Sequence, residues 1–439
     1  MSEMNRKVPE LRFIGFNDFW RATPFGDIYS FSATNSLSRA SLNDSTGEYK
    51  NIHYGDIHTK YSTMLDAKNA SIPYVTDFNE LSNSHAKSHC EVGDLVFADA
   101  SEDYADVGKA IQIISLPAEP LVSGLHTFLA KDNYHQTALG FSGYLMSSYK
   151  VRKQIMTMAV GAKVLGISKT NLAKVLLDIP TKEEQQKIAN FLSSVDKKIE
   201  QLTEKHRLLT EYKKGVMQQI FTQQIRFKDN QGYDYPKWHQ TKFSNLFKFI
   251  KTNSLSRADL VNDGEVMNIH YGDIHTRLPS QTRIETAALP YIAPHIDLSK
   301  FEDDTFCRDG DLIVADASED YLDIGKAIEL SAIENNKVIA GLHTFLARPY
   351  KSKVVNGFSG YVMQIDPVRK QIMRLATGVS VLGISKTNLG KVILPIPCID
   401  EQQKIANFLT EIDQKIDQAW SILEQTKAFK KGLLQKMFV

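Results

Sequence analysis

Glu184-Gln185-Gln186-Lys187-Ile188-Ala189-Asn190-Phe191-Leu192 stands near the middle of the chain and returns letter for letter as Glu401 to Leu409, 217 residues later. The same offset carries Asn51-Ile52-His53-Tyr54-Gly55-Asp56-Ile57-His58-Thr59 onto Asn268 to Thr276. It also carries Ala98 to Tyr104 onto Ala315 to Tyr321, Gly124 to Ala130 onto Gly341 to Ala347, and Val164 to Leu172 onto Val381 to Leu389. Residues 47–221 therefore recur as 264–438, with about half of the positions identical. Upstream the match slips by one: Thr34 to Ala40 pairs with Thr252 to Ala258, and Trp20 with Trp238. A period this long is a duplicated domain, because solenoid repeats run to only about 20–50 residues. The copies diverge most at 61–89 against 278–306, at 111–122 against 328–339, and at 131–139 against 348–356.

The opening stretch also begins a helix. Thr181-Lys182-Glu183-Glu184 has the spacing of a capping box. Apolar residues then follow in steps of four and three: Ile188, Leu192, Val195, Ile199, Leu202, then Leu209, Val216 and Ile220, with His206 and Lys213 as polar members. The second copy gives Ile405, Leu409, Ile412, Ile416, Ala419, Leu423, Thr426, Lys430, Leu433 and Met437. A sustained 3.5-residue repeat is a coiled-coil seam. A long amphipathic helix packed on its own domain is the simpler alternative. Two matching helices in one chain favour pairing with each other. A helix of about 40 residues is about 60 Å long. Paired antiparallel, two such helices would space two similar modules rigidly about a pseudo-twofold axis, which suits a long regular ligand such as DNA.

The remainder of each copy reads as short β-rich runs, such as Asp94 to Ala98 and Ala110 to Ile114, between Gly, Asp and Ser punctuation. The expected fold class is α+β: two similar globular domains separated by a pair of long antiparallel coiled-coil helices. The expected boundaries are 1–180 and 222–397 for the globular domains, and 181–221 and 398–439 for the helices.

The chain is 42% hydrophobic and 23% charged, which is ordinary for a globular protein. No run of 18 apolar residues exists, so no membrane span is expected. Met1 to Pro9 lacks the apolar stretch of a signal peptide. Cys90, Cys307 and Cys398 are too scattered for a disulfide framework, and a cytoplasmic location is expected. The net charge of +1 gives little support for a polyanion partner, although the placement of charge matters more than its sum.

The order of parts resembles the DNA specificity subunit of type I restriction-modification systems. Val8-Pro9-Glu10-Leu11-Arg12-Phe13, leading to Trp20 and Phe25-Gly26-Asp27-Ile28, is similar to the opening of that family. Each copy then runs from a Gly-Ile-Ser loop through a proline to Glu-Gln-Gln-Lys-Ile: Gly166 to Lys169, Ile179-Pro180 and Glu184 to Ile188, and again from Gly383 to Ile405. Thr181 and Cys398-Ile399 stand where the family often has Pro-Leu. The resemblance covers nearly the whole chain. It implies that each globular part is a target recognition domain reading one half of a split site in double-stranded DNA. It implies too that the helices dock two methyltransferase subunits, which methylate adenine N6 with S-adenosylmethionine. A restriction subunit, where the system has one, would bring ATP- and Mg-dependent translocation and cleavage. The specificity subunit itself would catalyse nothing and hold no cofactor.

The motifs agree with a non-catalytic chain. Asn/Asp-Pro-Pro-Tyr/Phe, His-Glu-x-x-His and Cys-x-x-Cys are absent from the sequence. Gly161 to Thr170 is not a phosphate loop, because Gly166 is not followed by Lys. The alternative function is a metal-dependent nuclease using the duplicated His53–His58 block with Asp99, Glu102 and Asp103. A third reading is a coiled-coil scaffold with no nucleic-acid partner.

Base edges are read by polar and aromatic side chains, whereas phosphate contacts set position. The base-reading candidates are His53, Tyr54, Asp56, His58, Ser101, Glu102, Asp103 and Tyr104, with His270, Tyr271, Asp273, His275, Ser318, Glu319, Asp320 and Tyr321. Each has a bland counterpart: structural histidines in the first block, and a turn with capping residues in the second. The phosphate candidates are Arg39, Lys109, Ser142, Lys163, Ser168 and Lys169, with Arg257, Lys326, Ser359, Ser385 and Lys386. Ser168 and Ser385 could equally begin helices. His126 and His343, inside Gly-Leu-His-Thr-Phe-Leu-Ala, are expected in the core. Similar domains should read similar half-sites, so the expected target is close to an inverted repeat. The helix length caps the separation of its halves at roughly 18 base pairs.

Overall fold

The computed structural model describes residues 8–77, 79, 81 and 88–438. Met1 to Lys7, and part of the divergent segment 61–89, lie outside the described residues. The chain divides into two compact units, residues 1–203 with 421–439 and residues 204–420. The division falls inside the two long helices, Lys182–Phe221 and Ile399–Met437, so each unit holds a part of both.

In the first unit a five-stranded sheet runs in the order Ser30–Ser32, Thr127–Lys131, Leu95–Ala98, Ala110–Ser115, Met64–Asp66. Its pairings are antiparallel except the last, which is parallel. A four-stranded sheet runs Leu121–Ser123, Lys50–Ile52, Tyr74–Val75, Leu42–Asn43. A two-stranded ribbon joins Arg21–Pro24 to Leu176–Ile179, the two ends of the globular part. The second unit repeats this plan. Its five-stranded sheet runs Phe247–Ile250, Thr344–Pro349, Leu312–Ala315, Ala327–Ser331, Gln281–Arg283. The fold is α+β in both.

Leu95, Val96, Phe97 and Ala98 are all fully buried, as are Leu312 to Ala315. A strand covered on both faces reads as a continuous apolar run and not as an alternation. One face of the first unit's sheet packs with Phe25, Phe141 and Tyr144. The other packs with Ile52, Ile57 and Leu65.

The helices complete these cores. Leu433, Met437 and Phe438 join the cluster of Trp20, Phe141, Ile188 and Leu192 in the first unit. Val216, Ile220 and Phe221 join Phe358, Ile405 and Leu409 in the second. Each copy thus lends the end of its helix to the core built by the other copy's globular part. Within each unit the helix segments run antiparallel. Lys213 meets Asp413 at 2.5 Å and His206 lies against Trp420 at 5.2 Å in the second unit. Lys430 meets Asp196 at 2.5 Å in the first.

Ile188, Leu192, Val195, Leu202, Ile405, Leu409, Ile412 and Leu423 are buried, while Ile199 and Ile416 are half-buried. The lysines on the apolar seam have a specific reason. Tyr144 donates its hydroxyl to Asp196 at 2.8 Å, and the Lys430 ammonium lies 5.5 Å over the Tyr144 ring. Tyr361, Asp413 and Lys213 repeat the arrangement at 2.7 and 5.2 Å. Each lysine is thereby both ion-paired and placed over an aromatic face.

The capping box at the first helix is half formed. Glu184 N–H donates to Thr181 Oγ1 at 3.4 Å. The Glu184 carboxylate instead takes the Arg12 guanidinium through two bonds of 2.7 Å. Glu401 takes Arg226 in the same manner, and also Trp238 Nε1 at 2.9 Å. Among the described residues, no helix is long and apolar enough to cross a membrane.

Candidate nucleic-acid interface

The Asn51–Thr59 block forms the end of a strand and the short helix Tyr54–Thr59. His53 caps this helix, and its Nδ1 accepts the Gly55 N–H at 3.2 Å. Burial, followed by the nearby Arg39 charge, pushes the His53 imidazole below its ordinary range. Asp56 is buried and ion-paired with Arg39 at 2.6 Å and Lys60 at 3.2 Å. His58 Nε2 lies 3.0 Å from the Ala100 carbonyl. Lys109 donates to the His58 carbonyl at 2.8 Å, where the helix ends. The second copy repeats each bond: His270 caps, Asp273 holds Arg257 and Arg277, His275 meets Ala317, and Lys326 meets His275.

These contacts sort the expected residues. His53, Asp56, His270 and Asp273 are buried frame, with their polar atoms turned to cap and ion pair. Arg39, Arg257, Lys109 and Lys326 are committed to that frame. Ser142 and Ser359 correct the phosphate expectation most plainly: both are wholly buried. Ser142 accepts the Tyr29 hydroxyl at 2.6 Å, which fixes it inside the core. Ser168 and Ser385 cap helices, each accepting an N–H at 3.1 Å.

Other candidates lie in or beside exposed turns. Ser101 is buried, and its Oγ accepts the Asp103 N–H at 3.0 Å. Ser318 and Asp320 repeat that turn at 3.0 Å. The turn projects Glu102, Asp103 and Tyr104, and Glu319, Asp320 and Tyr321, into solvent. Arg152 holds the loop from beneath by donating to the Ala105 and Val107 carbonyls at 2.8 and 2.7 Å. Lys163 is exposed. Lys169 is exposed above the rings of Phe31 and Phe128, and Lys386 above Phe249 and Phe345.

His126 and His343 are not in the core. Their side chains are 52% and 51% exposed. Both sit at positive φ, +52° and +53°. Nδ1 of His126 lies 3.1 Å from Asp99 Oδ1, and that of His343 lies 3.2 Å from Asp316 Oδ1. The Tyr54 ring meets His126 edge-on at 5.4 Å, and Tyr271 meets His343 at 5.3 Å. Burial raises the Asp99 and Asp316 carboxyls, opposed first by the neighbouring histidine and then by Lys169 or Lys386. In the second unit His343 and Asp316 line a cleft of about 700 Å³ with Lys251, Lys300, Phe345 and Lys386. Sequence reasoning missed the pair because a histidine between apolar neighbours reads as strand. The available signal was the Gly124-Leu125 turn before it and the tolerance of histidine for the left-handed region.

The model of the type I restriction modification DNA specificity domain matches residues 100–210 and 237–425, most of the chain and both copies. The chain belongs to this family. It is a non-catalytic DNA sequence-specificity subunit. Among its relatives in Methanocaldococcus jannaschii is a protein assigned as a type I restriction enzyme MjaX specificity subunit. It is 23% identical over 389 residues, covering 86% of this chain and 84% of the relative. The type I restriction enzyme MjaVIII specificity subunit of the same organism is 22% identical over 303 residues, covering 66% and 68%. In fold the chain is similar to the type I S subunit of M. genitalium, with a TM-score of 0.58, 13% identity and 99% of each chain covered. The nuclease alternative has no geometric support. Among the described residues no three His, Cys, Asp or Glu side chains converge as metal ligands, and Asp56 is already neutralised by two cations.

Proposed function

We propose that each unit of this specificity subunit reads one half of a split site in double-stranded DNA, and that the two half-sites are nearly the same sequence in opposite orientation. The observation that carries this is the duplicated exposed chemistry. Glu102-Asp103-Tyr104 with His126 and Lys169 in one unit is matched residue for residue by Glu319-Asp320-Tyr321 with His343 and Lys386 in the other. Acidic groups can accept from cytosine N4, lysines can meet phosphates, and aromatic faces can pack on bases. Two methyltransferase subunits docked on the helices would supply the S-adenosylmethionine chemistry at adenine N6, and a restriction subunit the ATP-dependent cleavage.

The test is selection of bound fragments from genomic DNA by the complex of this chain with its methyltransferase subunits. A two-part motif with a fixed gap is expected. Fragments sharing a single uninterrupted motif, or none, would contradict the proposal.

A further inference from the structure

We infer that His126 and His343 read a base edge, and that they read the same base pair at mirrored positions of the two half-sites; this rests on the split-site reading above. Among the described residues, of the non-glycine residues held at positive φ, only these two occupy equivalent places in both copies. A non-glycine residue in this region costs about 1 kcal/mol or more, and such strain collects where a side chain has to be aimed. The side chain is half exposed in each unit, so the imidazole is open to a ligand beside its contacts with Asp99 and Tyr54, or Asp316 and Tyr271.

The bond from Nδ1 to Asp99 has a different consequence. With the Nδ1 proton directed at the carboxylate, the ring orientation is fixed and Nε2 becomes the nitrogen that meets a ligand. The edge of Tyr54 limits rotation from the other side. Asp316 and Tyr271 do the same for His343. Asp99 and Asp316 are therefore positioning residues, and the histidines are the readers. The surroundings suit a major-groove base edge: an aimed nitrogen, an exposed lysine above aromatic rings, and the exposed tyrosine loop.

The experiment repeats the fragment selection with the intact complex carrying H126A, H343A or, as a variant that keeps tolerance for positive φ, H126N. H126A and H126N are expected to relax one position of one half-site by about tenfold in base preference. H343A should relax the mirrored position of the other half-site, and D99A should give a weaker form of the H126A pattern. A wild-type complex that selects a split motif, together with His variants that leave every position as sharp, would overturn this inference alone. So would a uniform loss of binding with an unchanged motif in both H126A and H126N. A wild-type complex that selects no split motif would instead overturn the reading beneath it.

Discussion

The two units bond several equivalent core side chains differently, yet hold the same exposed histidine, aspartate, tyrosine and lysine side chains. In the first unit Tyr29 stacks on Phe25 and donates its hydroxyl to buried Ser142. In the second Phe247 stacks on Phe243 in the same way but has no hydroxyl, and Ser359 Oγ is left without a partner among the described residues. Gln112 accepts the Gly140 and Gly143 N–H groups; Glu329 accepts those of Gly357 and Gly360 as a buried carboxyl. Trp238 Nε1 reaches Glu401, whereas buried Trp20 Nε1 has no partner among the described residues. Two of these core positions, Tyr29/Phe247 and Gln112/Glu329, have thus changed with their bonding partners. The exposed histidines, their aspartates, the tyrosine loop and the lysines have not. Surface residues are the ones that packing leaves free to change. Their identity across the copies therefore points to a shared ligand.

The comparison can be broken at the helix starts first. E401A removes the acceptor of two Arg226 bonds and of Trp238 within a buried setting. It is expected to destabilise the second unit by about 3–5 kcal/mol. E184A, which strands only Arg12, should cost the first unit about 1 kcal/mol less. Hydrogen exchange of the full chain, followed separately in the two units, checks both values.

The Gln112/Glu329 difference predicts a pH effect confined to one unit. Burial pushes the Glu329 carboxyl up to about 7. Its proton is held more tightly in the folded chain than in the unfolded one. Stability is therefore lost as pH rises from the ordinary glutamate range through about 7, and the full penalty is present above that. E329Q can adopt the Gln112 arrangement, in which the amide also donates to the Gly93 carbonyl at 3.1 Å. It should stabilise the second unit by about 3 kcal/mol at pH 8 and scarcely at pH 4. Urea unfolding at the two pH values, read by exchange in that unit, measures the difference. An equal effect at both would count against a buried carboxyl.

The smallest effect is at the buried serines. S142A should cost about 1 kcal/mol, because it removes the shorter bond of the Tyr29 hydroxyl and leaves it only Thr137 Oγ1 at 3.2 Å. S359A should be neutral or slightly stabilising, because it removes an unpaired hydroxyl. Thermal melts of the two variants against the wild type would sharpen the comparison, and equal losses would contradict it.

The long helices were legible because a 3.5-residue apolar repeat survives 40 positions, and Lys213 and Lys430 interrupt it without ending it. The sheets were not. Their strands are only two to six residues long, and their partners lie far off in sequence, as Arg21–Pro24 does from Leu176–Ile179. The seam was also more than a spacer, since Val216, Ile220, Leu433 and Met437 are core residues of the globular parts. Among the candidate residues, the duplicated blocks are visible in the sequence, but not which of their members serve the frame. Asp56 looks like a reader until Arg39, 17 residues earlier, is seen to neutralise it. His126 looks like core until Asp99, 27 residues earlier, is seen to hold it at the surface. Both are long-range side-chain pairings that no local periodicity records.

The central claim is that two equivalent units read equivalent half-sites, and mapping methylated adenines across a genome modified by the wild-type complex tests it most directly. The account predicts a split motif whose halves are close to inverted repeats, with any mismatch traceable to the divergent segments 61–89 and 278–306. Two unrelated half-sites would contradict it.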